Sequence, residues 1–257
     1  MQTLISALKA TEGGGDPLPP VWEQFVNEGI EFRRGSLHLV AAGPGVGKSV
    51  FALLLALRTG VPTLYVSADT DAFTTSTRLA SAITHQPLRI VQDEFAAGMK
   101  DKYYPVLAQT RTSIGWVFNK QPTIEDLYEE AEAFAHLHGE YPHLLVVDNL
   151  MNIFSEEDDN TSLRHNSEML MLLADHTQAA VLVLAHLTGE YDSGDVPPPL
   201  SALAGKVSKL PAVILTMFRA QSGDLGICIV KNRFGNAAAN GRLRAYLRMN
   251  LEKMHLG

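Results

Sequence analysis

The sequence predicts an α/β fold, a mainly parallel twisted sheet flanked by helices. Two observations carry that expectation. Short apolar runs alternate with stretches of helical periodicity along most of the chain, as strand–helix–strand crossovers require. One of those runs, Leu37–Ala41, leads through a glycine-rich turn straight into an apolar helical pattern, "AGPGVGKSVFALLLAL".

The elements follow in order. Residues 1–10 put Leu4, Ile5 and Leu8 on one helical face. "TEGGGDPLPP" then reads as a Gly/Pro linker, so 1–20 is expected to be an N-terminal helix with its linker and 21–257 the main domain. The expected strands are Leu37–Ala41, Thr63–Ser67, Leu144–Val147, Val181–Leu184, Val213–Phe218 and Ile227–Val230. A helix is expected after Thr123, where Thr123 and Asp126 form a capping box in "TIED". Ile124, Leu127, Tyr128, Ala131, Phe134 and Ala135 follow at helical spacing, and Gly139 ends the run. Residues 187–206, "LTGEYDSGDVPPPLSALAGK", have the composition of a long loop.

Composition narrows the class. At 257 residues and 46% hydrophobic, the chain is long and apolar enough for one large domain or a domain with a small extension. Its lone cysteine, Cys228, excludes an internal disulfide and a Cys-rich zinc site and suits a reducing compartment. The apolar stretches Val50–Leu57 and Ala179–Ala185 are too short to span a bilayer, and the first residues lack the pattern of a secretion signal, so a cytoplasmic protein without a membrane partner is expected. The net charge of −7, from 21 Lys plus Arg against 28 Asp plus Glu, argues against a surface coated with nucleic-acid-binding charge. It leaves room for a local basic path, because phosphate contact depends on where the charges sit.

The glycine-rich turn, Gly43-Pro44-Gly45-Val46-Gly47-Lys48-Ser49, has the chemistry of a phosphate loop. Gly45 and Gly47 let backbone N–H groups close round phosphate oxygens, and the following helix N-terminus adds positive potential. Lys48 can reach the β- and γ-phosphates, and Ser49 can ligate Mg²⁺. Ala42 stands where the strict motif has glycine. "HLLVVDNL" ends an apolar strand in Asp148, a carboxylate at the sheet edge where Mg²⁺ would sit. "TLYVSADTD" ends another strand with Asp69 and Asp71, either of which can orient or deprotonate an attacking water or can simply cap the next helix. His186 leaves the strand in "VLVLAHLT", where it can sense the γ-phosphate or be a hydrogen-bonded core histidine.

In this order, these segments resemble the RecA-like ATPase core of the DnaB-type replicative helicases over roughly residues 20–250. "VAAGPGVGKS" looks like that family's phosphate loop, which commonly has two alanines before the cradle. In "SADTDAFTTSTRLAS" the resemblance puts Asp69 in the catalytic acidic place and Arg78 in that of the motif's arginine; "LLVVDNL" matches the Mg²⁺-aspartate strand. "LSALAGKVSKLPAVILTMFRA" is similar to the segment after the second DNA loop. "ICIVKNRFGN" is similar to a Lys-x-Arg-x-Gly motif that reaches the ATP of the adjacent subunit, a role Lys231 and Arg233 would inherit. Two residues depart from the family, Asp69 for the usual Glu and His186 for the usual glutamine sensor, and a counterpart of the separate N-terminal domain of cellular members is not expected. Small relatives of that kind are common in bacteriophages and plasmids.

The resemblance therefore implies a ring-forming, ATP- and Mg²⁺-dependent motor, most simply a hexamer, acting on single-stranded or forked DNA. Its DNA loops would follow the Asp148 and His186 strands, with Arg164, Lys206 and Lys209 as the nearest cations and Glu156–Asp159 repelling phosphate. The acidic loops also suit an ATP-dependent regulatory or assembly ring that does not unwind DNA. A third reading is a DNA-processing nuclease with the 156–159 carboxylates as metal ligands.

Overall fold

In the computed structural model, which describes residues 15–108 and 114–257, an eight-stranded sheet carries the candidate residues toward the two ends of its strands. Its strands are β1 (Ser36–Ala42), β2 (Thr63–Ser67), β3 (Ile114–Val117), β4 (Leu144–Asp148), β5 (Ala180–His186), β6 (Val213–Arg219), β7 (Leu225–Asn232) and β8 (Arg244–Leu247). They lie in the order β3-β2-β4-β5-β1-β6-β7-β8. The first six in that order are parallel; β7 and β8 add antiparallel. All six expected strands form, extended by at most two residues at either end. The two unforeseen strands of this sheet, β3 and β8, are its outermost ones. Each has four residues, too short for alternation to stand out.

Side chains alternate across the strands and build a core on each face. On β1, Val40 and Ala42 face one core while Leu37, Leu39 and Ala41 face the other; on β5, Leu182 and Leu184 oppose Val181 and Val183. The first face is covered by α1 (Glu23–Glu28) and α2 (Lys48–Thr59), with Trp22 stacked on Phe51 at 4.9 Å between ring centroids. Helices α3 (Ala72–Thr84), α4 (Leu88–Ala96) and α5 (Tyr104–Ala108) follow β2 in the chain. The second face is covered by α6 (Ile124–His138) and α7 (Asp159–Thr177), through Leu127, Phe134, Leu170 and Leu173. The expected capping box of α6 is present in both directions, and Gly139 ends the helix in the left-handed conformation.

Three segments differ from a simple reading of composition. Residues 15–18, the end of the Gly/Pro stretch, are tied to the core. Gly15 N–H donates to Arg34, Leu18 N–H donates to Phe32, and Leu18 is buried. The segment after Asp148, expected to be a loop, becomes α7 from Asp159 onward. Residues 187–206 are ordered by short 3₁₀ turns, Gly189–Ser193, Leu200–Ala202 and the start of Ala204–Lys209, and by a bridge between Leu187 and Leu203. The apolar face Leu4/Ile5/Leu8 lies outside the described residues.

Candidate active site

The C-terminal ends of β1, β2, β4, β5 and β6 share one edge of the sheet, because parallel pairing in register aligns them. Ala42, last residue of β1, pairs with His186 on one side and Met217 on the other and is fully buried. It is a strand residue with its methyl in the core, which is why glycine is not needed there. The tight backbone begins at Gly43, where a Cβ would collide with the Asp192 carbonyl oxygen. Gly45 (φ 71°) and Gly47 (φ 121°) take conformations that L side chains rarely adopt. Helix α2 starts at Lys48 without a side-chain cap, so its first N–H groups and its dipole are left for an anion.

Buried charge surrounds that helix end. Lys48 is buried, and desolvation lowers its pKa despite the fields of Asp148, Asp69 and Asp192. Asp148, also buried, is pushed the other way, raised chiefly by desolvation and held back by Ser49 and Lys48. Tyr65 donates to its Oδ2 at 3.5 Å, while Oδ1 is buried with no hydrogen-bond partner among the described residues. A carboxylate with one bare oxygen beside a hydroxyl suits a hard divalent cation, and Ser49 with Asp148 is the fitting donor pair. Arg78, on α3, projects its field onto both Asp148 and Tyr65.

The two acidic candidates after β2 separate. Asp71 is the N-cap of α3 and accepts from Thr74 N–H at 2.7 Å. Asp69 is exposed at the sheet edge, its N–H fixed to the Asp148 carbonyl at 3.1 Å, and its charge is felt by Lys48, Asp148 and His186. His186 is half-buried, with Nε2 3.4 Å from Asn149 Nδ2; burial, then Lys48, lowers its pKa and favours the neutral ring.

Lys231 and Arg233 are elsewhere. Lys231 pairs with Ile214, which also faces Leu39 of β1, three residues before Ala42. That puts the pair toward the opposite edge of the sheet, about 10 Å back along the strand. Lys231 Nζ donates to the Ser208 and Lys209 carbonyls at 2.7 and 2.8 Å, and Arg233 Nη2 to the latter at 3.3 Å. Desolvation, then the Arg233 charge, lowers the Lys231 pKa to about 8.

The loop cations are loosely grouped. Leu163 packs on Gly205, where a Cβ would stand 2.9 Å from the leucine Cβ, so Arg164 and the 204–209 turn are neighbours. Arg164 is 72% exposed and pairs with Glu168 at 3.1 Å, an ion pair too solvated to hold it firmly. Lys209 is exposed; the side chain of Lys206 lies outside the described residues. Of the acidic run, Asp158 caps α7 by accepting from Thr161. Among the described residues, no group of three or more His, Cys, Asp or Glu is arranged to hold a metal.

The sequence did not single out several residues at this edge. Asp192 and Gly194 bring the 189–194 turn onto the phosphate loop, with Gly194 against Val46. Arg219 closes the same side. Its N–H donates to Gly194, and its guanidinium donates to the Gly45 carbonyl. Met249 and Leu251 also approach Gly47. An arginine ending an apolar strand was the one available signal, in "LTMFRA".

A family model described as "AAA domain" matches residues 9–190. The chain is 36% identical to the gene 65 protein of Mycobacterium phage L5 over 252 residues, covering 94% of this chain and 93% of that protein. It is 34% identical to the gene 65 protein of Mycobacterium phage D29 over 213 residues, covering 79% and 90%. Among solved structures, it resembles one described as an ATPase domain, with a TM-score of 0.79 at 15% identity, over 98% of this chain and 95% of that one. It also resembles a DnaB-like replicative helicase, solved in a study of its interactions with primase, with a TM-score of 0.81 at 16% identity. That match covers 98% of this chain and 64% of the other. The fold is thus that of RecA-like P-loop ATPase domains of DnaB-like helicases.

Proposed function

The chain belongs to the AAA-domain family and is related to the mycobacteriophage gene 65 proteins, and from that premise we propose that it is an ATP-hydrolysing, ring-forming DNA motor of the DnaB-like kind. Residues 21–257 would be the ATPase domain, with 1–20 as its extension. The single observation that carries the reading is a division across the sheet. The phosphate loop with Lys48 and Asp148 lies at the C-terminal end of the parallel strands, and the Lys231/Arg233 pair lies about 10 Å back toward their other end, bonded to the Ser208 and Lys209 carbonyls. A head-to-tail ring, most simply a hexamer, brings one subunit's pair to the next subunit's phosphates.

In this proposal the backbone N–H groups of 43–49 and Lys48 bind the triphosphate. Ser49 and Asp148 would hold Mg²⁺, which when bound with ATP neutralises charge on the β- and γ-phosphates. Arg78 supports the charge balance round Asp148. Asp69 orients the attacking water and takes its proton, while His186, neutral and beside Asn149, reads the γ-phosphate. Lys231 and Arg233 of the neighbour stabilise charge on the transferring phosphoryl group. Asp69→Asn keeps nucleotide binding within about twofold but lowers turnover on the order of a hundredfold. Equilibrium titration with a fluorescent ATP analogue beside steady-state ATPase assays reads the two effects separately; normal turnover would remove Asp69 from the chemistry.

The partner is single-stranded or forked DNA, held by cations on the Leu163–Gly205 side of the subunit. Replacing Arg164, Lys206 and Lys209 together by alanine should flatten the salt dependence of DNA binding, since about 0.7 counterions per lost contact are no longer released. The slope of log K against log salt checks this, and an unchanged slope would move the DNA path elsewhere. A second reading, an ATP-dependent regulatory ring without unwinding, draws support from exposed Glu156, Glu190 and Asp195 on the same loops. Strand separation on a forked substrate tells the two apart.

A further inference from the structure

The loop that carries Arg233 is held by a side chain so far without a role. Asn232, last residue of β7, spends both ends of its amide on backbone. Its Nδ2 donates to the Gly29 carbonyl at 2.9 Å, and its Oδ1 accepts from Phe234 N–H at 3.0 Å. The two bonds straddle Arg233. Close approach of backbone shapes this junction. A Cβ at Gly235 would stand 2.8 Å from both the Asn232 Nδ2 and the Gly29 oxygen. Arg33 then stacks over the Phe234 ring at 4.8 Å, and Arg233 N–H donates to the Ala212 carbonyl at 3.0 Å.

The anchor is packed onto the core. Gly29 ends α1 at φ 64°, and α1 is packed down by Phe25, which lies 5.9 Å from the Phe51 ring of α2. The arginine loop therefore takes its position from the N-terminal side of the same subunit's ATPase core. An arginine acting on a phosphate across an interface needs that kind of fixed base, because small displacements of a charged donor cost much of its effect.

We propose that Asn232 is a positioning residue, whose amide clamps the loop to Gly29 and so sets where Arg233 projects toward the adjoining subunit. Only a short side chain with both a donor and an acceptor satisfies the two backbone groups at once. Asn232→Asp keeps the shape but turns a carboxylate oxygen toward the Gly29 carbonyl, exchanging a hydrogen bond for repulsion. The proposal rests on the trans-acting reading of Arg233 and is tested in mixed rings.

The reference mixture is Lys48→Ala with Arg233→Ala, in which some interfaces pair an intact phosphate loop with an intact arginine. No recovered ATPase activity in that mixture, with subunit exchange verified, defeats the trans reading itself. Given recovery, Asn232→Asp is placed first on the Lys48→Ala subunit, which donates the arginine. Recovered activity should fall roughly tenfold, the equivalent of one neutral hydrogen bond. Placed instead on the Arg233→Ala subunit, which donates only the phosphate loop, it should leave recovered activity within about twofold. Asn232→Ala should repeat this asymmetry. Equal loss in both mixtures would mean a fold or assembly defect, and no loss in either would mean that the clamp is dispensable; both results overturn the proposal.

Discussion

Lys48→Ala lowers ATP turnover by about a hundredfold or more and weakens nucleotide binding along with it. Lys48 sits in the first turn of an uncapped helix, buried, with Asp148, Asp69 and Asp192 all within electrostatic reach. Its burial costs solvation that only a strong anion recovers, which is why its pKa is lowered in the free protein. A triphosphate supplies that anion, and the alanine variant forfeits the contact in ground and transition states alike. Isothermal titration with a non-hydrolysable ATP analogue, beside a steady-state assay, separates the two losses. Circular dichroism should show an intact fold, because the substitution adds no bulk and relieves a desolvated charge.

Arg233→Ala should cost on the order of a thousandfold in turnover while leaving ATP affinity nearly unchanged, as expected for a cation that acts mainly on the transition state. The loss should be partly reversed on mixing with inactive Lys48→Ala protein. A residue working inside its own subunit would give no recovery. The adjacent Lys231 adds a pH signature. Its folded pKa of about 8 lies below the ordinary value of 10.5 because its ammonium is desolvated and faces Arg233. The charged form is therefore lost as pH rises through about 8, and kcat/KM should decline over that window in wild-type protein. Lys231→Arg, charged throughout, should flatten the decline.

The strands that build the sheet interior were legible because burial on both faces demands apolar runs, and β1, β4, β5 and β6 are such runs. The phosphate loop was legible for a related reason: backbone closing on an anion leaves glycines at fixed offsets. Strands β3 and β8 were not, since an edge strand of four residues needs no more than one or two buried side chains. Asp192 and Arg219 escaped because their position depends on a turn folding back over the phosphate loop, a tertiary contact with no local period. The resemblance already put Asp69 in the acidic place, but the residues alone left either Asp69 or Asp71 free to cap the next helix, and the geometry assigns that cap to Asp71. The location of Lys231 and Arg233 follows from antiparallel pairing of β7 with β6, which no spacing in the sequence reveals.

The most direct test of a DNA motor is the ATPase rate of the assembled protein, of measured mass, with and without single-stranded or forked DNA at low salt. A closed oligomer whose turnover rises several-fold on adding either DNA, and whose stimulation disappears as salt is raised, is the result predicted here. An oligomer that hydrolyses ATP at one rate whatever DNA is present, while binding none, would contradict it and leave a nucleotide-driven ring with a different cargo.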